Sequence, residues 1–439
     1  MKNWNWDVSP IILAVEMGYG HLRPAYALAE AFKTEVTRMD APPIAGSIEA
    51  AIWKAVRTAY HGLSRACDWP GLGPAAKRML GYVTRIEALQ SLSPGQPANL
   101  STHLADGLAG RVIGKRFRDI ASWAGKPVIA TYPVAAFAAR CVPGARIFCL
   151  VTDTDLNRAW APVNTAEAEI VYFAPVEQVA KRLRSFGVPD HKIHITGFPL
   201  PPELVGGADA ALARRLRQLD PNSNLRQPEF HDPPAVNKRP GARSSGRPIS
   251  LAFAIGGAGA QTSQVAKILN SLQSKVLNGD LKLTLIAGIR PKVASILFEM
   301  VRCVGLGCCI GRGIHILLAK DLDDYFHTFN ECLADTDVLW TKPSELVFYA
   351  SLGLPLLLAD PVGGQEHANR KWLLSVEGGL DAGDPTQFDG RIANLLDTGE
   401  LCRIAQNAYS KLKRNGSDRI IEVMDEYASS VSLCNVTRN

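Results

Sequence analysis

The sequence predicts an α/β protein made of two doubly wound domains. Three observations carry this prediction. Short apolar runs alternate with helix-length amphipathic stretches along most of the chain. Several runs, such as LAFAI and PLLLA, are apolar at every position, as strands of a parallel sheet covered by helices on both faces are. A polar stretch rich in Pro, Arg, Asn and Ser divides two halves that share this alternation. At about 100–200 residues per domain, 439 residues allow two or three such units.

In the first half, strands are expected at residues 11–15, 127–131, 147–152, 169–174 and 192–197. In the second they are expected at 249–255, 282–287, 314–318, 337–341 and 355–359. The first half has one interruption, because no strand appears between residues 48 and 90. There AIWKAVRTAYHGLSRA puts Ile52, Val56, Tyr60 and Leu63 at helical spacing, with Lys54, Arg57 and Arg65 on other faces. Such a basic amphipathic helix lies on a membrane surface or packs on its own domain. The first domain is expected over 1–205 and a polar linker or insertion over 206–248. From Arg214 that linker shows no apolar periodicity and reads as a flexible connection. The second domain is expected over 249–439, with C-terminal helices, the last over 418–429.

Bulk composition narrows the function classes. Apolar content of 47% and charged content of 21% are ordinary for a soluble globular chain. No apolar run approaches the ~18 residues of a membrane span. The N-terminus, MKNWNWDVSP, has no signal-peptide pattern, so a cytoplasmic location is expected. The net charge of +6 is mild. It suits a face toward an acidic substrate or anionic lipid, and no basic run with interleaved aromatics points to nucleic acid. The nine cysteines form no CxxC pair and no zinc-type spacing, so reduced thiols and no metal are expected.

Four segments carry candidate chemistry. GYGHLRPAYALAE, residues 18–30, follows the apolar run PIILAV. Gly18 and Gly20 form a turn, Pro24 sits near the first turn of a helix, and His21 stands at the carboxyl edge of the first strand. Its imidazole is either a proton acceptor near neutral pH or a structural cap. LAFAIGGAGAQTSQVAKIL repeats the design with Gly256, Gly257 and Gly259, a loop able to hold a diphosphate on backbone N–H groups or simply a tight turn. TKPSELVFYASLGLPLLLADPVGGQEHANRKWL offers Ser344 as a helix N-cap and Glu345 in the first turn. In the same segment Gln365, Glu366 and Asn369 are placed to bond sugar hydroxyls. CLVTDTDLNRAWAP puts Asp153 and Asp155 after a strand, to orient His21 or to act as base. A second DTD at 335–337 precedes a strand, on the wrong edge for a ligand.

Together, GxGH in the first half and GGQExxN in the second resemble the GT-B glycosyltransferases. The closer resemblance is to the group of monogalactosyldiacylglycerol synthase and the transferase that adds N-acetylglucosamine to the peptidoglycan lipid precursor. VTDTDLNRAWAP, GVPDHKIHITGFPL, LIAGIR, TKP and GGQEHAN carry it, over most of residues 11–373. The resemblance implies two Rossmann-like domains facing across a cleft. It implies metal-independent, inverting sugar transfer from a nucleotide sugar, usually UDP-linked, to a lipid acceptor such as diacylglycerol, by a peripheral protein on an anionic membrane surface without a cofactor. By position it puts His21 on the histidine of the N-terminal glycine loop, Gly256, Gly257 and Gly259 on the diphosphate loop, and Gln365 and Glu366 on the donor-sugar contacts. The residues expected beside them are Asp153 for catalysis with His21, Arg290, Lys342, Ser344, Glu345, Gly364 and Asn369 for the donor, and Gly18, Gly20 and Trp160 for the acceptor side. The chain departs at one place: the family's ribose-holding glutamate, counted back from Gly353, falls on Phe348, with Glu345 one helical turn earlier. A non-catalytic binding protein and a nucleotide-sugar epimerase on the same scaffold are the alternatives.

Overall fold

The computed structural model describes residues 9–67, 71, 73–87, 95–220, 247–254 and 262–436. Its strands form two six-stranded parallel sheets. The first contains β1 (Ile11–Ala14), β2 (Val36–Arg38), β3 (Pro127–Ala130), β4 (Arg146–Leu150), β5 (Ile170–Ala174) and β6 (Ile193–Ile195), in the order β2-β1-β3-β4-β5-β6. The second contains β7 (Ile249–Ala254), β8 (Leu281–Gly288), β9 (Ile314–Leu318), β10 (Val338–Thr341), β11 (Leu356–Leu358) and β12 (Gly379–Asp381), in the order β12-β11-β10-β7-β8-β9. All ten expected strands are present. The two not expected, β2 and β12, are three-residue edge strands.

Each sheet reverses its winding once, between β1 and β3 in the first and between β7 and β10 in the second. Open α/β sheets bind ligands outside the carboxyl ends of strands at such a point. The two reversal points face one another, and a core cluster runs through the boundary, with Leu22 and Phe198 on one side and Phe348 and Leu373 on the other.

The structure adds detail to the linker and the tail. Residues 214–219, read as the start of a flexible connection, instead end a helix, Ala208–Leu219. Leu212, Leu216 and Leu219 enter the core of the second domain. Arg215, 2% exposed, donates to the carbonyls of Leu333, Thr336 and Leu352. Residues 221–246 lie outside the described residues. The last helix, Gly416–Val436, belongs in space to the first domain. Tyr427 donates to the carbonyl of His191 and sets its ring edge-on to Phe148, and Arg146 donates to the Tyr427 carbonyl. Gly416 permits this return: a Cβ there would lie 2.2 Å from the Phe198 carbonyl oxygen.

Candidate functional site

The first glycine segment builds a helix start rather than a free loop. Gly18 caps helix α1 (Tyr19–Phe32) at φ 115°, a conformation that favours glycine. Gly20 and His21 therefore lie in the first turn, and Pro24 is inside the helix. No side chain caps the start, so its N–H groups face the cleft. The other end of the segment is pinned across the domains. The Tyr19 ring stacks on Tyr325 with centroids 4.4 Å apart, and its hydroxyl accepts from the Ile289 amide. Gly288, in the LIAGIR segment, leaves room for it: a Cβ there would meet the Tyr19 oxygen at 2.3 Å.

His21 is held by the end of β3. Its Nδ1 lies 2.8 Å from the Thr131 carbonyl oxygen and 3.1 Å from the Thr152 hydroxyl. A carbonyl only accepts, so Nδ1 carries the proton and Nε2 keeps its lone pair. Among the described residues Nε2 has no partner. Tyr132, with centroids 4.9 Å apart, and Trp160, at 6.1 Å, wall the ring. Burial pushes its pKa down to about 4, so the ring is neutral at physiological pH.

Asp153 follows β4 and lines the same cleft. Burial pushes its pKa up to about 7. A hydrogen bond from Asn369 opposes the rise, and the charges of Glu345 and Glu366 add to it. Asp155, which the sequence offered as an equal candidate, is not at the site. It is locked in a two-pronged ion pair with Arg182, with contacts of 2.8 and 2.7 Å. Asp337 of the second DTD braces Arg247 and the Ser250 amide, also away from the cleft.

From the second domain come the residues after β10 and β11. Gly18, Gly20, His21, Asp153, Lys342, Ser344, Glu345, Gln365, Glu366 and Asn369 all line one cavity of about 200 Å³. Ser344 starts a buried 3₁₀ helix, Glu345–Leu352, but its side chain makes no capping bond. Lys342 pairs with Glu366 at 3.0 Å, and Glu366 also accepts from the Val362 amide. Glu345 pairs with Arg23 of α1 at 3.1 Å, with both side chains almost fully buried.

Asn369 has no exposed surface. It accepts from the Thr154 amide and hydroxyl, at 2.8 and 2.9 Å, and donates to Asp153 Oδ1 and the Pro343 carbonyl, at 2.8 and 3.2 Å. All four of its hydrogen-bonding positions are used, three of them across the domains. Gln365 has no hydrogen-bond partner among the described residues.

Three assigned residues stand off the cavity. Trp160 is behind His21. Gly364 donates to Thr84 Oγ1, 2.9 Å away. Arg290 precedes the helix Pro291–Cys303 without lining the cavity. Gly256, Gly257 and Gly259 lie outside the described residues. Phe348 is not at the cleft: it stacks on Phe198 at 4.4 Å and packs on Trp372 at 5.2 Å. Sequence reasoning missed Arg23 and Tyr60 as cleft residues. Arg23 stood in the quoted GHLRP, two positions after His21, and Tyr60 stood in the amphipathic stripe.

That stripe belongs to helix α2 (Ser47–Ala66), and much of it faces outward. Trp53, 6% exposed, enters the core, and Arg57 turns in to pair with Glu16 and Asp40. Ile48, Ile52 and Val56 are left outward, 75%, 37% and 44% exposed. Tyr60, one turn further along, reaches the cleft wall. No helix among the described residues is long and apolar enough to cross a membrane.

No protein-family model matches the sequence, and no curated protein is similar to it. The structure is similar to a putative UDP-N-acetylglucosamine 2-epimerase from Listeria monocytogenes. That likeness has a TM-score of 0.50 and 14% identity, over 96% of this chain and 98% of that one. It is also similar to the glycosyltransferase SnogD from Streptomyces nogalater, with a TM-score of 0.45 and 15% identity, over 95% of this chain and 100% of that one. The former likeness, with the two facing parallel sheets, shows the fold to be the two-domain α/β arrangement of GT-B proteins.

Proposed function

We propose that the protein is an inverting glycosyltransferase that moves a sugar from a nucleotide sugar, UDP-linked by resemblance, to the hydroxyl of a lipid acceptor such as diacylglycerol. One observation carries the choice among GT-B activities: the outward apolar stripe Ile48–Ile52–Val56 that ends at Tyr60 in the cleft wall. An enzyme acting on a free, water-soluble sugar nucleotide has no use for such a track. A lipid-borne hydroxyl does, because its chains stay on the apolar face while its head enters the cleft. Lys54, exposed on the same helix, and the net charge of +6 favour an anionic leaflet.

In the reaction, the acceptor oxygen attacks the anomeric carbon. The bond from that carbon to the diphosphate oxygen breaks, and the nucleoside diphosphate leaves with the electron pair. His21 Nε2 takes the hydroxyl proton, and the Thr131 carbonyl steadies the imidazolium through Nδ1–H. Asp153, titrating at about 7, is the second group able to take that proton. The α1 N-terminus and the start of the Glu345–Leu352 helix lie where backbone N–H groups can stabilise the leaving charge.

The test incubates the protein with UDP-sugars and vesicles containing diacylglycerol, then identifies products by mass spectrometry. Glycosylated lipid is expected. His21→Ala is expected to lower turnover by a factor of about 10²–10⁴ with nucleotide affinity kept. Interconversion of the free UDP-sugar without acceptor would replace this reading by an epimerase. Neither product, with no nucleotide bound, would replace it by a binding protein.

A further inference from the structure

The cleft holds three carboxyl groups, Asp153, Glu345 and Glu366, and two cations, Arg23 and Lys342. Each cation is already bound to an acid, Arg23 to Glu345 and Lys342 to Glu366. A nucleoside diphosphate brings at least two negative charges and finds no unengaged cation among these residues. The space is also short, since about 200 Å³ compares with about 300–1,000 Å³ for ordinary ligand pockets.

The Glu345 carboxylate engages Arg23 and takes up part of this space. Its Oε2 would lie 3.1 Å from a Cβ placed on Gly20, so the carboxylate is pressed against the first turn of α1. That turn is an uncapped helix start, which favours negative charge. Beside it, Arg23 is 3% exposed and its Nη1 has no hydrogen-bond partner among the described residues. The guanidinium is fixed from behind: Nη2 donates to the Tyr325 hydroxyl at 3.0 Å, and the group lies 4.3 Å over the Phe329 ring. Neither of these contacts involves Glu345.

We propose that Glu345 is a latch that occupies the place of a ligand's phosphate. In this closed arrangement its carboxylate engages Arg23 and the α1 start across the domains, and it must leave before a nucleoside diphosphate can enter. This inference rests on the nucleotide-sugar reading for the ligand, but not for the latch itself. It reverses the donor-side role expected of Glu345 from the sequence: the residue competes with the nucleotide instead of holding it.

The sign of one substitution decides. Glu345→Gln keeps the shape and the bond from Arg23 Nε while removing the charge. Titration calorimetry with UDP and, separately, inorganic pyrophosphate is expected to show about tenfold tighter binding in E345Q than in the wild type. Small-angle X-ray scattering is expected to show a larger radius of gyration for unliganded E345Q, as the domains part more readily. Weaker or unchanged binding of both probes in E345Q would overturn the latch. If neither protein binds either probe, scattering still decides: an enlarged E345Q keeps the latch and removes the nucleotide reading, and an unchanged one removes the latch. Should E345Q not fold, R23M with E345L replaces the buried pair by apolar groups, an exchange cores often accept. That double variant is expected to lose the pyrophosphate affinity of the wild type and to expand. A compact double variant with wild-type affinity would refute the proposal.

Discussion

Asp153→Asn should make the protein more stable above neutral pH. Carrying this carboxyl from its ordinary 3.8 to about 7 means that the folded state holds a proton the unfolded state releases. The sign follows from that difference. Stability is full below the unfolded value near 3.8 and is lost as pH rises through the folded value near 7. Over that span the loss would reach about 4 kcal/mol for a fully enclosed group. Asp153 still touches the cleft, so about half of this, ~2 kcal/mol, is the reasonable expectation. The asparagine has the same shape, and its oxygen can still accept from Asn369 Nδ2. The variant is therefore expected to melt about 4 °C above the wild type at about pH 8 and level with it at about pH 4. A second feature sharpens the test. His21 titrates at about 4 in place of 6.5, so its contribution is present above 6.5 and is lost as pH falls toward 4. In the wild type the two slopes oppose one another in the acid range. Removing Asp153 unmasks the histidine, and melting temperature should then climb with pH between these values. Scanning calorimetry across buffers reads both effects. A variant that melts below the wild type at high pH, or that keeps the same pH profile, would refute the burial of an uncompensated Asp153 charge.

Phe348→Glu should destabilise the protein by several kcal/mol in urea unfolding, since the stack between Phe198 and Trp372 offers no partner for a charge. Ile52→Asp with Val56→Asp should abolish co-sedimentation with anionic vesicles while leaving Tm within about 2 °C, because both residues are exposed. Arg57→Ala, on the inward side of the same helix, should instead lower Tm. Asn369→Ala should leave the Thr154 amide and hydroxyl and one Asp153 oxygen without their partner, costing about 2–4 kcal/mol and enlarging the unliganded protein in X-ray scattering.

What was legible in the sequence divides by the range of the interaction behind it. Ten strands showed because their burial on both faces is written locally as continuous apolar text. The edge strand VTR of β2 is half-buried and carries no such run, and GLD of β12 is three residues of ordinary loop composition. The helix 208–219 was hidden differently. Leu212, Leu216 and Leu219 do have helical spacing, but the window that began at Arg214 met four polar residues in its first five. One of them, Arg215, is core, because three backbone carbonyls from distant turns accept its protons. No local pattern announces that.

Helix α2 makes the same point about faces. Periodicity found the helix and left its apolar stripe two places, a membrane surface or its own domain. Which side packs was settled by Trp53 against the core and by the Arg57 pairs with Glu16 and Asp40. The site follows the same rule. Turn chemistry and strand ends placed His21, Asp153, Glu345 and Asn369 on facing edges. Their present engagements come from partners 322 residues apart for Arg23–Glu345 and 216 apart for Asp153–Asn369. Those partners change the meaning of the motif. Asn369 in GGQExxN holds the domains together with three of its four bonds, and Glu345 lies on Arg23. Two residues expected on the donor side, Glu345 and Asn369, are thus engaged across the domains. If Glu345 is the proposed latch, donor entry and domain opening are one event, and variants at these positions should alter ligand affinity and the closed conformation together.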